Sequence, residues 1–396
     1  MSLLSLFEKT KVLECRRRHF PKNAKMTLPS KASHGSSSSR PANYSLNYSY
    51  PLLHKVLNFY KKESIDLSNF KIYSCQHLLE SQYEMYTMFI EFGFKPENIF
   101  ALGKIYSSNK EVIEEIKKLG VNVIQPEFGG QAFDIEHKNN CRNLAEKISD
   151  NDKNIIMDDG GYLIEAAKDK KIYFAVEQTS SGFRKLENSS LNFPIFNVAR
   201  SKTKLTQESP LIARLISGRI EIYAKDNNIH SPKIVVIGLG PIGNSVLQVL
   251  SEDNYAVSGF DIETSKEKII EYLLEEKPDL VIGATGTALL DESDLDGLES
   301  DHIYHFISVS SSDREFPVVS FRNNTPTHGD VIYKNFVFVN NGFPITFKGN
   351  RYESTPIEIE KTIALLMGSV LYGAVKGFNA SGIIHVPEEL EELINQ

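Results

Sequence analysis

Several short clusters in this chain carry side chains of the kinds that do chemistry. Gly238, Gly240 and Gly243 stand on the G-x-G-x-x-G spacing within KIVVIGLGPIGNSV, residues 233–246. A turn of that kind, set between a buried strand and a helix, cradles a dinucleotide. The first glycine permits the tight turn, the second lets the backbone approach a pyrophosphate, and the third lets helix and strand pack closely. Pro241 and Ile242 open the helix whose N-terminus would face the phosphates. Asp261 stands about 20 residues further on, at the end of a second strand-like run. A carboxylate there accepts hydrogen bonds from an adenosine ribose and favours NAD over NADP.

Upstream, three polar clusters follow apolar runs. His77 comes after a run ending at Cys75, Asp158-Asp159-Gly160-Gly161 after Ile155-Ile156-Met157, and Glu177-Gln178-Thr179-Ser180-Ser181-Gly182 after Ala175-Val176. If these runs are strands of one parallel sheet, their carboxyl ends converge on a common crevice. Taken alone, His77 fits a structural histidine as well as a chemical one, and Asp158 and Asp159 fit an Asx turn closed by glycines. Arg200, Lys202, Lys204 and Glu208 follow in FPIFNVARSKTKLTQES. A lysine in a cleft serves as a general base when its neighbours favour the neutral amine, although many such lysines are simply solvated.

The elements that must position these groups alternate. Strands are expected at 71–75, 98–102, 121–124, 154–157 and 172–176, with helices at 78–92, 109–119, 141–148 and 162–168. A long helix over 204–226 leads into a second series: strands at 233–237, 256–260, 280–283 and 303–309, with a helix at 266–276. Asn340-Asn341-Gly342 between 335–339 and 343–347 reads as a hairpin turn. A long amphipathic helix over 355–375 follows the nucleotide unit and is placed to return to the first. The expected fold class is α/β, with two doubly wound domains, a flavodoxin-like substrate domain and a Rossmann NAD-binding domain, joined by hinge helices. The expected boundaries are a basic, disordered arm at 1–45, a substrate domain at 46–205, a nucleotide domain at 206–350, and a returning C-terminal segment at 351–396.

At 396 residues the chain is long enough for two cores. A net charge of −7 argues against nucleic acid as a partner. No apolar run approaches the roughly 20 residues of a membrane span. The cysteines, Cys15, Cys75 and Cys141, have neither metal-ligand spacing nor the number for a disulfide framework, which fits a reducing cytoplasm and no metal. Arg16, Arg17, Arg18, Lys22, Lys25, Lys31 and Arg40 make the first residues basic. That segment reads as a disordered arm, with an organelle-targeting or anion-seeking role as the alternative.

From about Leu46 to near Val375 the chain resembles the S-adenosylhomocysteine hydrolase family. MDDGG at 157–161 is similar to the family's LDDGG, EQTSSG at 177–182 to its EETTTG, and FPIFNVARSKTK at 193–204 to VPAINVNDSVTK. The glycine turn, Asp261 and TGTALL at 285–290 stand where the family has their counterparts. The resemblance implies a tightly held NAD, a nucleoside-type small-molecule substrate and a homodimer or larger homo-oligomer. It implies a cycle in which a ribose 3′-hydroxyl is oxidised, the C4′ proton is lost, a group leaves C5′, water adds, and the hydride returns. By position, Asp159, Lys204, Glu208 and His77 take the catalytic places, and Gln178 and Asp158 the substrate-binding ones. Thr179, Ser180, Ser181, Ser209, Thr285 and Gly286 join the glycine turn and Asp261 around the cofactor. The chain departs from the family at Gln178, Leu79, Ala199 and Glu208-Ser209, where the family has glutamate, threonine, asparagine and Asp-Asn, and at Ile307-Ser308-Val309, where it has Ile-Gly-His, so an active-site imidazole is lost. Two other readings follow from the same residues: an NAD-binding paralogue without catalysis, and a 2-hydroxy-acid dehydrogenase using Arg314 and His305.

Overall fold

The computed structural model describes residues 48–396 except 262, 324, 379 and 380; the basic arm and Cys15 lie outside the described residues. The chain opens with α1 (Pro51–Tyr60), β1 (Phe70–Gln76), α2 (Glu80–Phe92), β2 (Ile99–Gly103), α3 (Lys110–Lys118) and β3 (Asn122–Ile124). It continues through α4 (Phe133–Ala145), β4 (Lys153–Asp158), α5 (Tyr162–Ala166), β5 (Ile172–Glu177), α6 (Ser180–Leu186) and β6 (Pro194–Asn197). A wide π turn, Lys204–Glu208, runs into α7 (Ser209–Asp226). Then come β7 (Lys233–Ile237), α8 (Pro241–Glu252), β8 (Ala256–Phe260), α9 (Lys266–Glu276), β9 (Leu280–Gly283), α10 (Glu292–Leu298) and β10 (Tyr304–Ser308). The last elements are β11 (Val331–Tyr333), β12 (Phe336–Phe338), α11 (Pro356–Lys376), β13 (Gly382–His385) and α12 (Glu388–Asn395).

Two sheets result. The first has the order β3-β2-β1-β4-β5-β6-β13, all parallel. The second runs β8-β7-β9-β10-β12-β11 and is parallel except for β11. Ile155, Ile156 and Met157 of β4 and Ile234 to Ile237 of β7 are fully buried, as strands covered by helices on both faces must be. Each sheet is doubly wound. The order 3-2-1-4-5-6 falls in the first; the second, counted from β7, runs 2-1-3-4-6-5, its last two strands an antiparallel edge pair. Strand order reverses between β1 and β4 in the first sheet and between β7 and β9 in the second. Those are the points where such sheets open a crevice at their carboxyl edges.

Local chemistry explains the boundaries. Asn109 caps α3, its side chain accepting from the Glu111 and Val112 amides. The π turn precedes Pro210, which has no N–H to return to the preceding turn. Helix α11 packs on α1 and α2, and its buried Glu360 accepts from the Leu52 and Leu53 amides at 2.6 and 3.3 Å and from the Tyr48 hydroxyl at 2.7 Å. That carboxylate satisfies amides at the start of α1 and complements its dipole. The expected hairpin at Asn340-Asn341-Gly342 is corrected. β12 pairs antiparallel with β11 across Lys334-Asn335, while 339–342 form a tight turn and 343–347 are not a strand. Asn340 and Asn341 adopt positive φ, 53° and 57°, as a hairpin turn would ask. The Asn340 amide, however, ties that turn to the Phe343, Pro344 and Phe347 carbonyls, so no second strand can pair.

The two sheets meet through a small aromatic core, Tyr106, Phe133 and Phe343, with Phe128 and Phe347 against it. Polar ties flank it. Arg314 Nη2 donates to Asp134 Oδ1 at 2.8 Å, and Arg322 bonds Asp313, the Asn341 side chain and the Gln131 carbonyl.

Candidate active site

A cavity of about 670 Å³ lies between the carboxyl edges of the two sheets. His77, Asp159, Gln178, Thr179, Ser180 and Ser181 line it from the first sheet, and Lys204, Glu208 and Ser209 from the π turn and the start of α7. Gly238, Gly240, Pro241, Ile242, Asp261, Thr285 and Gly286 line it from the second sheet. Two expected residues are placed elsewhere. Asp158 is buried behind the cavity, where its Oδ2 accepts from the Leu163 and Ile164 amides at 2.7 and 2.9 Å. It therefore holds the start of α5 and is not brought to a substrate. Gly243 lies beneath the turn, where a Cβ would come within 1.8 Å of the Gly238 carbonyl.

Asp159 is the centre of the first-sheet side. Only 2% exposed, it receives Lys104 Nζ on Oδ1 and Gln178 Nε2 on Oδ2, with His77 Nε2 3.2 Å from Oδ2. Burial alone would raise this carboxyl, but Lys104 and His77 hold it well below the usual carboxylate range. Burial likewise works against the Lys104 ammonium, yet the Asp159 charge raises it above its ordinary value. The His77 imidazole is pushed below its ordinary value by burial, with Asp159 pulling the other way and Lys104 and Lys204 adding to the drop. Its Nδ1 meets Ser107 Oγ at 2.5 Å and its ring stacks on Phe347 at 4.5 Å, so the imidazole is fixed on every side.

Lys104, Ser107 and Phe347 were missed by sequence reasoning. Lys104 follows the carboxyl end of β2, so the rule that singled out His77 and Asp159 would have found it had it been applied to every strand. Behind the site, burial and the neighbouring Asp158 push the Glu177 carboxyl up to about 8, and burial pushes Asp158 up to about 6. Glu177 Oε1 accepts from the Thr179 amide and hydroxyl at 2.7 and 2.6 Å, and the same hydroxyl accepts from the Gly182 amide at 2.9 Å. Thr179 thus caps α6 while lining the cavity.

Lys204 Nζ lies 3.1 Å from Glu208 Oε2, one turn away, and Glu208 Oε1 accepts from Thr362 Oγ1 of α11 at 3.2 Å. On the second-sheet side, Gly238 has φ +101°, and a Cβ there would press on Ala284 and Thr285. Nothing lies within 4 Å of a Cβ built on Gly240, which leaves that backbone open to an approaching group. The buried Glu315 shapes the facing loop. It accepts from the Thr285 and Gly286 amides at 2.7 and 3.1 Å and from Ser308 Oγ at 2.7 Å. His305 is not at the cavity; its Nδ1 meets the Tyr223 hydroxyl at 2.8 Å.

No family profile matches the chain. It is 29% identical over 325 residues to an uncharacterized protein found in two strains of Mycobacterium tuberculosis, covering 76% of this chain and 64% of that protein. It is 25% identical over 272 residues to an adenosylhomocysteinase of Acinetobacter baylyi, covering 59% of this chain and 56% of the enzyme. The chain thus spans less than two thirds of these relatives' length. Among solved structures, a D-lactate dehydrogenase from Sporolactobacillus has 13% identity and a TM-score of 0.32, covering 80% of this chain and all of its own. The A chain of dipicolinate synthase from Bacillus subtilis has 8% identity and a TM-score of 0.34, covering 78% and 96%. Neither superposition is close enough to bear on the site. Among the described residues no helix is long and apolar enough to cross a membrane.

Proposed function

We propose that this protein is an NAD-dependent enzyme of adenosylhomocysteinase-like chemistry, acting on a nucleoside thioether or related nucleoside. The observation that carries the reading is one cavity in which Asp159, His77, Lys204 and Glu208 face a dinucleotide-type glycine turn. Residues 46–205 and 351–396 are assigned to the substrate half and 206–350 to the nucleotide half, and the active form to a homo-oligomer.

The residues fit NAD. The open face of Gly240 suits a pyrophosphate at the start of α8, and the exposed Asp261 at the end of β8 suits an adenosine ribose. Thr285 and Gly286 sit across the turn, and Ser180, Ser181 and Ser209 offer hydroxyls to the remainder. When bound, NAD supplies a hydride acceptor for a carbon that bears a hydroxyl. The protein must then move protons. Lys204 is the base assigned to that hydroxyl, with Glu208 3.1 Å away to hold its side chain and to accept the proton that the amine takes up. Asp159, kept ionised by Lys104, is the carboxylate assigned to the sugar's acidic C–H and hydroxyl edge. Gln178 spends its Nε2 on Asp159, and its buried Oε1 has no protein partner, so a substrate hydroxyl is its natural donor. A 2-hydroxy-acid dehydrogenase would need a histidine facing the nicotinamide from the nucleotide half. His77 is the one histidine lining the cavity among the described residues, and it comes from the other half.

The test is the near-ultraviolet absorbance of the NAD-loaded protein on adding adenosine or a nucleoside thioether. Reduction of bound NAD, lost in Lys204→Met, is expected. No reduction with any nucleoside would leave the non-catalytic paralogue, and unchanged reduction in Lys204→Met would remove Lys204 from the mechanism.

A further inference from the structure

Cys75, His137 and Cys141 converge where β1 packs against α4, within the buried interior of the first sheet's helical layer. Cys75 is next to last in β1, and His137 and Cys141 lie four residues apart on α4, hence on one helix face. Cys75 Sγ is 3.2 Å and Cys141 Sγ 3.7 Å from the same atom, His137 Nε2, and all three donors lie within 4.8 Å of one another. They are 0%, 2% and 0% exposed, in the order Cys75, His137, Cys141. Phe133 stacks on the imidazole at 4.6 Å and Tyr162 meets it edge-on at 5.5 Å.

A hydrogen bond between the two thiols and one from Cys75 to His137 already link the three groups, but they leave His137 Nε2 facing two sulfurs at once. A ring nitrogen carries either one proton or one lone pair, so it serves one thiol at a time. A cation between the three donors serves all of them. With Zn–S about 2.3 Å and Zn–N about 2.0 Å at tetrahedral angles, N and S stand about 3.5 Å apart, between the two separations found here. Two thiolates and an imidazole form a donor set that Zn²⁺ takes, and that also suits Cu⁺. Sequence spacing hid the triad, because Cys75 comes from a strand some sixty residues before α4.

We propose that Cys75, His137 and Cys141 bind a soft thiolate-seeking cation, Zn²⁺ or Cu⁺. Among the described residues no fourth His, Cys, Asp or Glu donor shares that reach, so a water or small thiol completes the shell. Loading releases the protons of both thiols, so uptake strengthens as pH rises. The ion ties β1, two residues before His77, to α4, whose first turn carries Phe133 and Asp134 to the other sheet. Its role is structural, and it is independent of the reaction proposed above.

The full chain is stripped with chelator and titrated with Zn²⁺ or, under reducing conditions, Cu⁺, against a competing chromophoric chelator. Co²⁺ loading serves as a spectroscopic probe. Stoichiometric uptake, thiolate-to-cobalt charge-transfer absorption and a higher melting temperature on loading are expected. Cys141→Ala puts a small apolar side chain at a fully buried position. It should weaken binding by more than the roughly 10- to 100-fold that changes to outer-shell partners cost. Cys141→Ser carries the same test if the alanine variant does not fold. Uptake of Cu⁺ alone supports the site and names its ion. Equal uptake by the variant, or none by the wild-type chain with either ion, overturns the proposal.

Discussion

Replacing Lys104 with methionine removes the ammonium that keeps Asp159 ionised inside the protein while preserving most of the side chain's volume. Both partners are about 2% exposed, so solvent does little to screen the pair. The Asp159 carboxyl is depressed, so its contribution is present above its unfolded pKa, near 4, and fades as pH falls through the lower folded value. The Lys104 ammonium is raised, so its contribution is complete below about 10.4 and fades only as pH rises through the higher folded value. Across the window between, breaking such a buried pair costs about 3–5 kcal/mol. Gln178 and His77 remain on Asp159, which favours the lower end, about 3 kcal/mol. With a urea dependence of about 2 kcal/mol/M, the midpoint should fall by roughly 1.5 M. The chain has no tryptophan, so circular dichroism follows the unfolding. Without Lys104, burial raises the Asp159 carboxyl, and the deficit should shrink as pH drops from about 8 to about 5. Adding Asp159→Asn to Lys104→Met should recover most of the loss. A midpoint within about 0.3 M of wild type, or a deficit equal at both pH values, would refute the buried ion pair.

The glycine turn separates two kinds of loss. Gly243→Ala forces a Cβ against the Gly238 carbonyl and should destabilise the fold, seen as a lower melting temperature without ligand. Gly240→Val meets open space and should leave the melting temperature unchanged while weakening NAD binding by tenfold or more in calorimetry, on the order of 1.4 kcal/mol. Glu177 is raised to about 8, so its ionisation costs stability increasingly as pH climbs from about 4.5 to about 8. Glu177→Gln keeps an acceptor for Thr179 and should be more stable than wild type by up to about 4 kcal/mol at pH 8, with no gain at pH 4. A flat difference between those pH values would show that Glu177 does not titrate with folding.

Periodicity made the strands legible because they are short, apolar on both sides and closed by polar clusters. β7, β8, β9 and α9 fall on the expected residues, and β1, β2, β4 and β5 within a residue at each end. The elements not foreseen had weaker signals. α1 carries no polar cap of its own and leans on Glu360, more than 300 residues away. α6 is a single capped segment of seven residues, and β6 and β13 are four residues each. The reading of 343–347 as a strand rested on the Asn340-Asn341-Gly342 turn before it, but Phe343 and Phe347 serve the aromatic contact between the sheets and Ile345 packs into the core of the second sheet. At the site, the carboxyl-edge rule reached His77, Asp159 and the 177–182 segment because each directly follows its strand. Asp158 was taken with Asp159, but adjacent residues at a strand end point to opposite faces, and only one can meet the cavity. Lys104, directly after β2, was open to the same rule, whereas Glu315 works through partners on other loops that no local pattern announces.

The most direct measurement is a crystal structure of the full chain with NAD and a nucleoside. Density for the pyrophosphate along Gly238–Gly240, with the nicotinamide end turned toward Lys204, Asp159 and Thr179, is the predicted result. An empty turn, or a nicotinamide directed to solvent with the Lys204 ammonium facing away from it, would contradict the account.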